Sequence, residues 1–291
     1  MKSHAVPAID TQKIVDNGTH FTIREDMKYA KRVVHRPVSD FDLEQFSARY
    51  LPVRASANYR KRGNRIGFFW FATTGRLLAF ESMLERSILL DLDRDPTVSR
   101  VWTQPFRVDG FDSARDDMHV RPYPDFLVEY LDERLEIVEV KPERALQPPV
   151  AADFDEDLKK FSRAAKRWQR TTDNFVFLDG VAQSLGWDFS VRSELAPERR
   201  RNLEYLEPYR RPFPASDTLH EDVLEAAMCG PSGLCELADQ VDGGFVSAMP
   251  VILHLIWHHQ LEADLNHPLS SSTTVHVAGQ DVGRPVLEVA A

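Results

Sequence analysis

Two carboxylates and a lysine stand near the ends of two neighbouring apolar runs of this sequence. Asp125 precedes the run Phe126–Leu131, and Glu139 and Lys141 close the run Leu135–Lys141. The short polar turn between the runs predicts a β-hairpin. Because side chains alternate along a strand, Glu139 and Lys141 share one face, and pairing across the turn brings Asp125 to within one residue of Glu139. The three groups therefore converge at the open end of the predicted hairpin.

This combination of groups suits a hard divalent cation bound beside a phosphate. Mg²⁺ prefers one or two carboxylates and takes its remaining ligands from water and substrate phosphate. A neighbouring lysine can lower the pKa of an attacking water or neutralise charge that builds on phosphorus. The trio thus predicts metal-dependent hydrolysis of phosphodiester bonds. An ordinary hairpin with solvated charges at its end fits the same short pattern.

A third carboxylate, Glu85, stands on a predicted helix upstream of the hairpin. The segment 80–92 has helical spacing, and Glu85 falls on one stripe with Ile88 and Leu89. A carboxylate on an apolar stripe needs a partner or a chemical role, because an isolated buried charge is costly. Ser82 and Glu85 also form an S-x-x-E capping box, in which the glutamate only satisfies a backbone N–H. The two roles are compatible in one residue.

Together these segments resemble the TnsA-type endonuclease subunits of heteromeric transposases. The resemblance covers roughly residues 50 to 195 and rests on the motifs Glu81–Arg86, Asp95–Val98, Gln104–Pro105, Pro124–Phe126 and Glu139–Lys141. It implies the restriction-endonuclease-like fold of the PD-(D/E)XK group, an α/β architecture in which helices flank a mixed sheet.

The resemblance also implies a catalytic set made of a helix glutamate, the aspartate of the PD motif and an acid-x-lysine strand. The residues at these positions are Glu85, Asp125, Glu139 and Lys141. Asp125, Glu139, the carbonyl of Val140 and Glu85 are the implied ligands of Mg²⁺, for which Mn²⁺ can substitute, and Lys141 is implied to position the attacking water. The founding member of the family has a glutamine in place of Glu139, and a carboxylate at this position favours metal binding.

Length and composition predict a two-domain organisation. The chain has 291 residues, of which 43% are hydrophobic, and only two cysteines, which fits a reducing cytoplasm. No apolar run is long enough to cross a bilayer, so we expect no membrane association. The predicted segments are a partly ordered basic arm (1–48), the PD-(D/E)XK endonuclease domain (49–195), a proline-rich linker (196–214), a smaller, mostly α, winged-helix-like docking domain (215–283) and a tail (284–291).

The charge distribution predicts where DNA would bind. The net charge is −9, but residues 21–76 hold twelve Lys/Arg against five Asp/Glu. A second basic element is the predicted helix Asp157–Arg170, whose apolar stripe is Leu158, Phe161, Ala165 and Trp168. Solvated charged faces are the alternative for both elements. We predict phosphate contacts, which bind without reading sequence, from Arg60, Lys61, Arg62, Arg65, Lys159, Arg163, Lys166 and Arg170.

The C-terminal region has the opposite charge. Residues 217–283 contain ten Asp/Glu and no Lys or Arg, so phosphate would repel this region. Three predicted helices and a short wing there resemble a winged helix, and we expect it to dock protein rather than DNA. The family resemblance implies that its partner is an ATPase regulator subunit.

These observations predict a Mg²⁺-dependent DNA endonuclease subunit of a heteromeric transposase. By resemblance, it would free the 5′ ends of the mobile element at the transposon ends, while a separate transposase subunit joins the 3′ ends. A restriction or defence nuclease of the same fold, a non-catalytic assembly adaptor of a DNA-recombination complex and a winged-helix transcriptional regulator are the alternatives. The missing basic residues of the C-terminal region argue against the regulator.

Overall fold

The fold is taken from a computed structural model that describes residues 19–27, 30–53, 65–112, 118–154, 157–211 and 217–279. The chain divides into two compact units. The first unit comprises Met1–Leu89 and Thr97–Glu194, and the second comprises Leu90–Pro96 and Leu195–Ala291. None of the helices in the described ranges is both long and apolar enough to span a membrane.

The first unit mixes strands and helices. Its strands are β1 (His20–Met27), β2 (Ala30–Pro37), β3 (Tyr50–Leu51), β4 (Gly67–Phe71), β5 (Arg76–Phe80), β6 (Val98–Thr103), β7 (Arg107–Asp112), β8 (Met118–Val120), β9 (Phe126–Tyr130), β10 (Leu135–Val140) and β11 (Asp188–Arg192). Its helices are α1 (Leu43–Arg49), the first turns of α2 (Met83–Arg94), α3 (Glu143–Leu146) and α4 (Leu158–Ser184). Short 3-10 turns cover Val38–Asp40 and Ala151–Phe154.

The predicted hairpin lies inside a four-stranded sheet with the strand order β11-β10-β9-β6. Strands β9 and β10 are antiparallel, with Phe126 opposite Val138, and every residue of both strands is buried. Burial of every residue is typical of strands covered on both faces, although Glu129, Glu136 and Glu139 interrupt the apolar runs. Strand β11 pairs with β10 in parallel, which requires a long crossover, and α4 lies within that connection. The sheet is therefore mixed, as predicted.

A second sheet has the strand order β2-β1-β7-β8, with β3 paired to the free part of β1. Phe21 and Ile23 on β1 are buried in the core of the unit, and the alternate residues His20 and Thr22 lie on the other face. Residues 20–27 and 30–37 thus form paired strands within this sheet, where the sequence predicted a partly ordered arm ahead of the domain. The pairing of β1 with β7 depends on contacts distant in sequence, which local patterns do not reveal.

Helix α4 packs on this core through its C-terminal half. Phe177, Leu178 and Val181 are buried together with residues of both sheets. The helix has 27 residues and continues beyond Arg170, where the predicted segment ended. Leu158 was predicted to belong to the apolar stripe, but its side chain is 74% exposed. The stripe that anchors the helix therefore lies C-terminal to the basic segment.

The second unit is mostly helical. In chain order its elements are α5 (Pro197–Leu206), a 3-10 turn (Glu207–Arg210), α6 (Asp217–Met228), β12 (Ser232–Gly233), α7 (Leu234–Asp239), α8 (Gly244–Trp257), β13 (Leu261–Glu262) and β14 (Thr274–Val277). The three short strands pair in the order β12-β14-β13. We expected the short wing at residues 265–269 and 272–277. Strand β14 falls in the second of these ranges, and its partners are β12 and β13.

Helix α5 occupies part of the segment that the sequence predicted to be a linker. Pro197 is the first residue of this helix, a position where its fixed φ and missing N–H are tolerated. Leu203 and Leu206 are buried, and Asn202 hydrogen-bonds the carbonyls of Leu265 and His267. The proline marked the beginning of a helix rather than a break in structure.

We predict that Leu127→Ala destabilises the first unit by about 2–5 kcal/mol, because the side chain is fully buried at the centre of β9 and leaves a cavity. Leu131→Ala, at the exposed end of the same strand, is the matched control and is expected to change stability by less than about 0.5 kcal/mol. Urea unfolding followed by tryptophan fluorescence measures both, since Trp102 and Trp187 pack in this core. Equal unfolding midpoints for the two variants would contradict the assignment of the core.

Candidate active site

The predicted carboxylates meet at the end of the β9–β10 hairpin. The strand register, extended by one residue from Phe126 opposite Val138, places Asp125 opposite Glu139. The backbone N–H of Val140 donates a hydrogen bond to Asp125 Oδ2 at 2.8 Å. The prediction that Asp125 lies within one residue of Glu139 is therefore confirmed, and β10 itself holds the aspartate in place.

The ammonium group of Lys141 lies between the two carboxylates. Its Nζ is 2.6 Å from Glu139 Oε2, 3.2 Å from Asp125 Oδ2 and 3.1 Å from the carbonyl oxygen of Val140. These are the carboxylate and carbonyl groups that the sequence predicted to bind a metal ion. The contacts of Lys141 show that they accommodate a cation, so the residues present fit a Mg²⁺ site.

The electrostatics of this group reflect crowded negative charge. Burial, followed by repulsion from Asp125, raises the pKa of Glu139 to about 7, although the attraction of Lys141 opposes the shift. Burial alone would lower the pKa of Lys141, but the attraction of Glu139 and Asp125 outweighs it and the pKa is raised. Lys141 is therefore charged at neutral pH, and Glu139 titrates near neutrality.

Glu85 lies in the first turn of α2 and makes the hydrogen bonds of a helix cap. Its Oε2 accepts the backbone N–H of Glu81 at 2.7 Å, and its Oε1 accepts the hydroxyl of Ser82 at 2.9 Å. Ser82 Oγ in turn accepts the backbone N–H of Glu85, which completes the predicted capping arrangement. Burial, followed by repulsion from Asp125, also raises the pKa of Glu85 to about 7. The carboxylate is thus both a cap and an electrostatic neighbour of the site.

A different cluster is the tightest acid–histidine group among the described residues. Ligand atoms of His20, His35 and Asp109, on the second sheet, all lie within 4.8 Å of one another. The carboxylate of Asp109, however, already pairs with Arg107 at 2.8 Å and Arg121 at 3.3 Å, and it accepts the hydroxyl of Thr22. With two guanidinium groups beside the carboxylate, this cluster is an ion-paired network on the sheet surface.

Gln104 reaches the site without having been predicted to have a role. Its backbone N–H donates to the carbonyl of Asp125 at 2.8 Å, and its side-chain Nε2 lies 3.4 Å from Asp125 Oδ1. The residue is buried and has a positive φ of 50°. Its place in the Gln104–Pro105 motif was the one sequence signal that could have identified it.

Part of the predicted DNA-binding set lies outside the described residues, namely Arg60, Lys61 and Arg62. Arg65 is exposed just before β4, and all four basic residues predicted on α4 are exposed. Two of them, Lys166 and Arg170, line a pocket of about 670 Å³ together with His119 and Arg121 from β8 and the residue after it. Asp173 also lines this pocket. The sequence does not predict that His119 and Arg121 lie beside these residues, because β8 is a short strand separated from α4 along the chain.

We predict that divalent metal binding strengthens as pH rises through 7. Glu85 and Glu139 have pKa values near 7, against an ordinary value of 4.5, so the folded protein must release protons to bind the ion. The ionised fraction of each group rises about tenfold from pH 6 to pH 8. Mn²⁺ affinity should therefore rise by at least about tenfold over that range.

Without metal, the raised pKa values make the free energy of unfolding fall as pH rises, whereas metal affinity rises. The folded state binds protons more tightly than the unfolded chain between pH 4.5 and about 7, so stability contributed by these groups falls across that window as pH rises.

Calorimetric Mn²⁺ titrations at pH 6 and 8, with Glu139→Gln as the comparison, measure the predicted rise of Mn²⁺ affinity with pH. A pH-independent affinity in the unsubstituted protein would contradict it.

Comparison with known proteins agrees with the geometry. Residues 95–194 match the family model described as TnsA-like endonuclease N terminal. This range includes β6 to β11 with Asp125, Glu139 and Lys141, whereas Glu85 precedes it. No curated protein matches the chain. The match covers about a third of the chain. It supports a TnsA-like nuclease in this part of the first unit, with the restriction-endonuclease-like fold that such a domain implies.

Proposed function

We propose that this protein is the Mg²⁺-dependent DNA endonuclease subunit of a heteromeric transposase and hydrolyses phosphodiester bonds at the 5′ ends of the mobile element, in the cytoplasm. The observation that carries the proposal is the contact of one ammonium group, Lys141 Nζ, with Asp125, Glu139 and the Val140 carbonyl inside a TnsA-like endonuclease domain. A cation-binding oxygen cluster beside a lysine is what metal-assisted hydrolysis of phosphate requires.

Each residue has a distinct role in this proposal. Asp125, Glu139 and the Val140 carbonyl would hold the ion, with Glu85 contributing directly or through water. When bound, the ion supplies Lewis acidity at the phosphate and a lowered pKa of bound water. When an ion occupies these oxygens, the N–H donors of Lys141 that contact them in the structure would orient a water molecule or neutralise charge on the phosphate. The Val140 N–H keeps Asp125 in register with β10.

The basic surface of the first unit supports DNA as the substrate. Lys159, Arg163, Lys166 and Arg170 follow the exposed side of α4, and the last two share a pocket with His119 and Arg121. Phosphate contacts of this kind position DNA without selecting a sequence. We therefore propose that Lys166 and Arg170 hold the DNA backbone, with Arg65 and the basic residues near it as further contacts.

Protein partners are proposed for the second unit. The order of its elements from α6 to β14 supports a winged-helix-like arrangement, and the absence of Lys and Arg from residues 217–283 argues against contact with phosphate. The TnsA-like family implies DNA and other transposase subunits as partners. We propose that this unit docks the ATPase regulator subunit, while the transposase subunit joins the 3′ ends.

A restriction or defence nuclease of the same fold and a non-catalytic adaptor remain the alternative functions. The complete set of Asp125, Glu139 and Lys141 favours a catalyst over an adaptor. Neighbouring genes separate the two nuclease functions, because an integrase-fold transposase and an ATPase alongside would support the transposon, and a modification enzyme would support restriction.

We predict that Asp125→Asn or Lys141→Ala abolishes Mg²⁺-dependent nicking by the assembled complex. Each change removes a group that acts at the reacting phosphate, so nicking should be lost. Asp125→Asn is expected to keep the fold, whereas Lys141→Ala also removes the cation that Asp125 and Glu139 share and should lower the melting temperature. Asp132→Asn is the matched control, because Asp132 lies in the exposed turn of the same hairpin. Nicking at the unsubstituted rate by either active-site variant would refute the assignment.

We predict that Glu85→Gln leaves the melting temperature unchanged and abolishes cleavage. Glutamine keeps an acceptor for the Glu81 N–H and can donate to Ser82, so the cap survives, but it is a poor ligand for a hard cation. Thermal denaturation and a nicking assay on the same preparation test both halves of the statement. Normal cleavage would mean that Glu85 is only a cap.

We predict that replacing Lys166 and Arg170 together by alanine weakens duplex binding by the full chain. Two lost phosphate contacts should reduce the slope of log affinity against log salt by about 2. Arg200→Ala is the control, since Arg200 is an exposed arginine on α5 of the second unit. Fluorescence anisotropy at several salt concentrations measures the slopes, and equal slopes for all three proteins would exclude α4 from the DNA interface.

A further inference from the structure

Gln104 contacts Asp125 through both its backbone and its side chain. The backbone N–H donates to the Asp125 carbonyl at 2.8 Å, and Nε2 lies 3.4 Å from Oδ1 of the carboxylate. The other oxygen, Oδ2, accepts from Val140 N–H and Lys141 Nζ. Gln104 thus contacts Oδ1, the carboxylate oxygen that Val140 and Lys141 do not contact.

The backbone of Gln104 is held in a conformation that glutamine seldom adopts. Its φ of 50° lies in the left-handed region, where a residue with a side chain is strained. Neighbouring hydrogen bonds fix it there: the Gln104 carbonyl accepts from Val53 N–H at 3.0 Å, and the Thr103 carbonyl accepts the hydroxyl of Tyr50. Strain that several contacts maintain is characteristic of residues whose side chain has a functional task.

Only the nitrogen of the Gln104 side-chain amide has a hydrogen-bond partner among the described residues. The residue is 5% exposed, yet Oε1 has no hydrogen-bond partner among the described residues. Asn202, a buried amide in the second unit, shows the usual situation, because its Nδ2 donates to two carbonyls and its Oδ1 accepts the Leu269 N–H. Buried polar atoms are normally satisfied by protein groups or ordered water, so this acceptor is available to a water molecule or a ligand.

We infer that Gln104 is a positioning residue of the metal site. Its Nε2 orients the Asp125 carboxylate, and its Oε1 accepts a hydrogen bond from a water molecule in the hydration shell that Mg²⁺ retains. The inference rests on the proposed function and adds to it a residue that acts through Asp125 and water rather than on the reacting phosphate. It also gives a reason for the strained backbone, which places the amide beside the aspartate.

Gln104→Met in the full-length protein tests the inference. Methionine has a similar shape but can neither donate to Asp125 nor accept from water, and the backbone strain is unchanged. We expect the calorimetric Kd for Mn²⁺ to rise by about 10- to 100-fold, the usual effect of losing an outer-shell partner. The melting temperature without metal should stay the same or rise, since a buried unpaired acceptor is removed, and metal-free duplex affinity should not change.

Two further variants keep the test decisive. Gln45→Met is the matched control, because Gln45 also has a buried Oε1 without a partner in the described chain but no contact with Asp125, and its Mn²⁺ affinity should remain unchanged. Should Gln104→Met fail to fold, Gln104→Gly replaces it, because glycine adopts a φ of 50° without strain. This variant should also lose Mn²⁺ affinity while remaining folded.

The outcomes separate this inference from the proposed function. An Mn²⁺ affinity within twofold of the unsubstituted protein for the folded Gln104 variant overturns the positioning role, whether or not its melting temperature falls. Asp125→Asn is titrated in parallel. If it binds Mn²⁺ as tightly as the unsubstituted protein, or if the latter binds none, the metal site itself is misassigned and both the inference and the proposed function fall.

Discussion

The candidate site depends on keeping like-charged carboxylates together in a largely buried place. Asp125 and Glu139 share one ammonium group, and Glu139 is only 5% exposed. An unpaired charge in such surroundings is far too costly to retain. Other buried glutamates of the same hairpin have their own cation, as Glu136 has Arg192 at 2.8 Å. Sharing one lysine between two carboxylates leaves negative charge that a divalent ion can balance.

Much of the first unit serves to hold this arrangement rigid. The register of β9 and β10 sets Asp125 opposite Glu139, and the parallel pairing with β11 continues to Lys141, whose backbone N–H donates to the Arg192 carbonyl at 3.0 Å. Behind the sheet, the buried end of α4 packs against its apolar residues. Glu139 and Val140 thus lie on a central strand, and Asp125 immediately precedes the strand beside it. Strands position side chains more accurately than loops do.

The sequence predicted the parts of the molecule that local patterns control. The β9–β10 hairpin follows from two apolar runs and a polar turn, and the cap at Glu85 follows from S-x-x-E spacing. The pairing of β1 with β7 was not predicted, because it joins segments distant in sequence. The continuation of α4 and the helix that begins at Pro197 were not predicted either, because both depend on tertiary burial. At Gln104 the local pattern predicts the wrong backbone conformation. The residue before a proline is expected to be extended, whereas tertiary hydrogen bonds hold Gln104 at a φ of 50°.

The net charge of −9 is compatible with a DNA enzyme because electrostatic effects in salt are local. Screening confines the influence of an exposed charge to about 10 Å at ordinary ionic strength. A phosphate near Lys166 and Arg170 would therefore respond mainly to charges within about that distance, so the net charge of the whole chain does not decide DNA binding. The acidic composition of residues 217–283 favours a basic protein partner, since complementary potentials speed association and disfavour wrong pairings. In the proposed function, segregating the two charges along the chain would let one region contact DNA while the other repels phosphate.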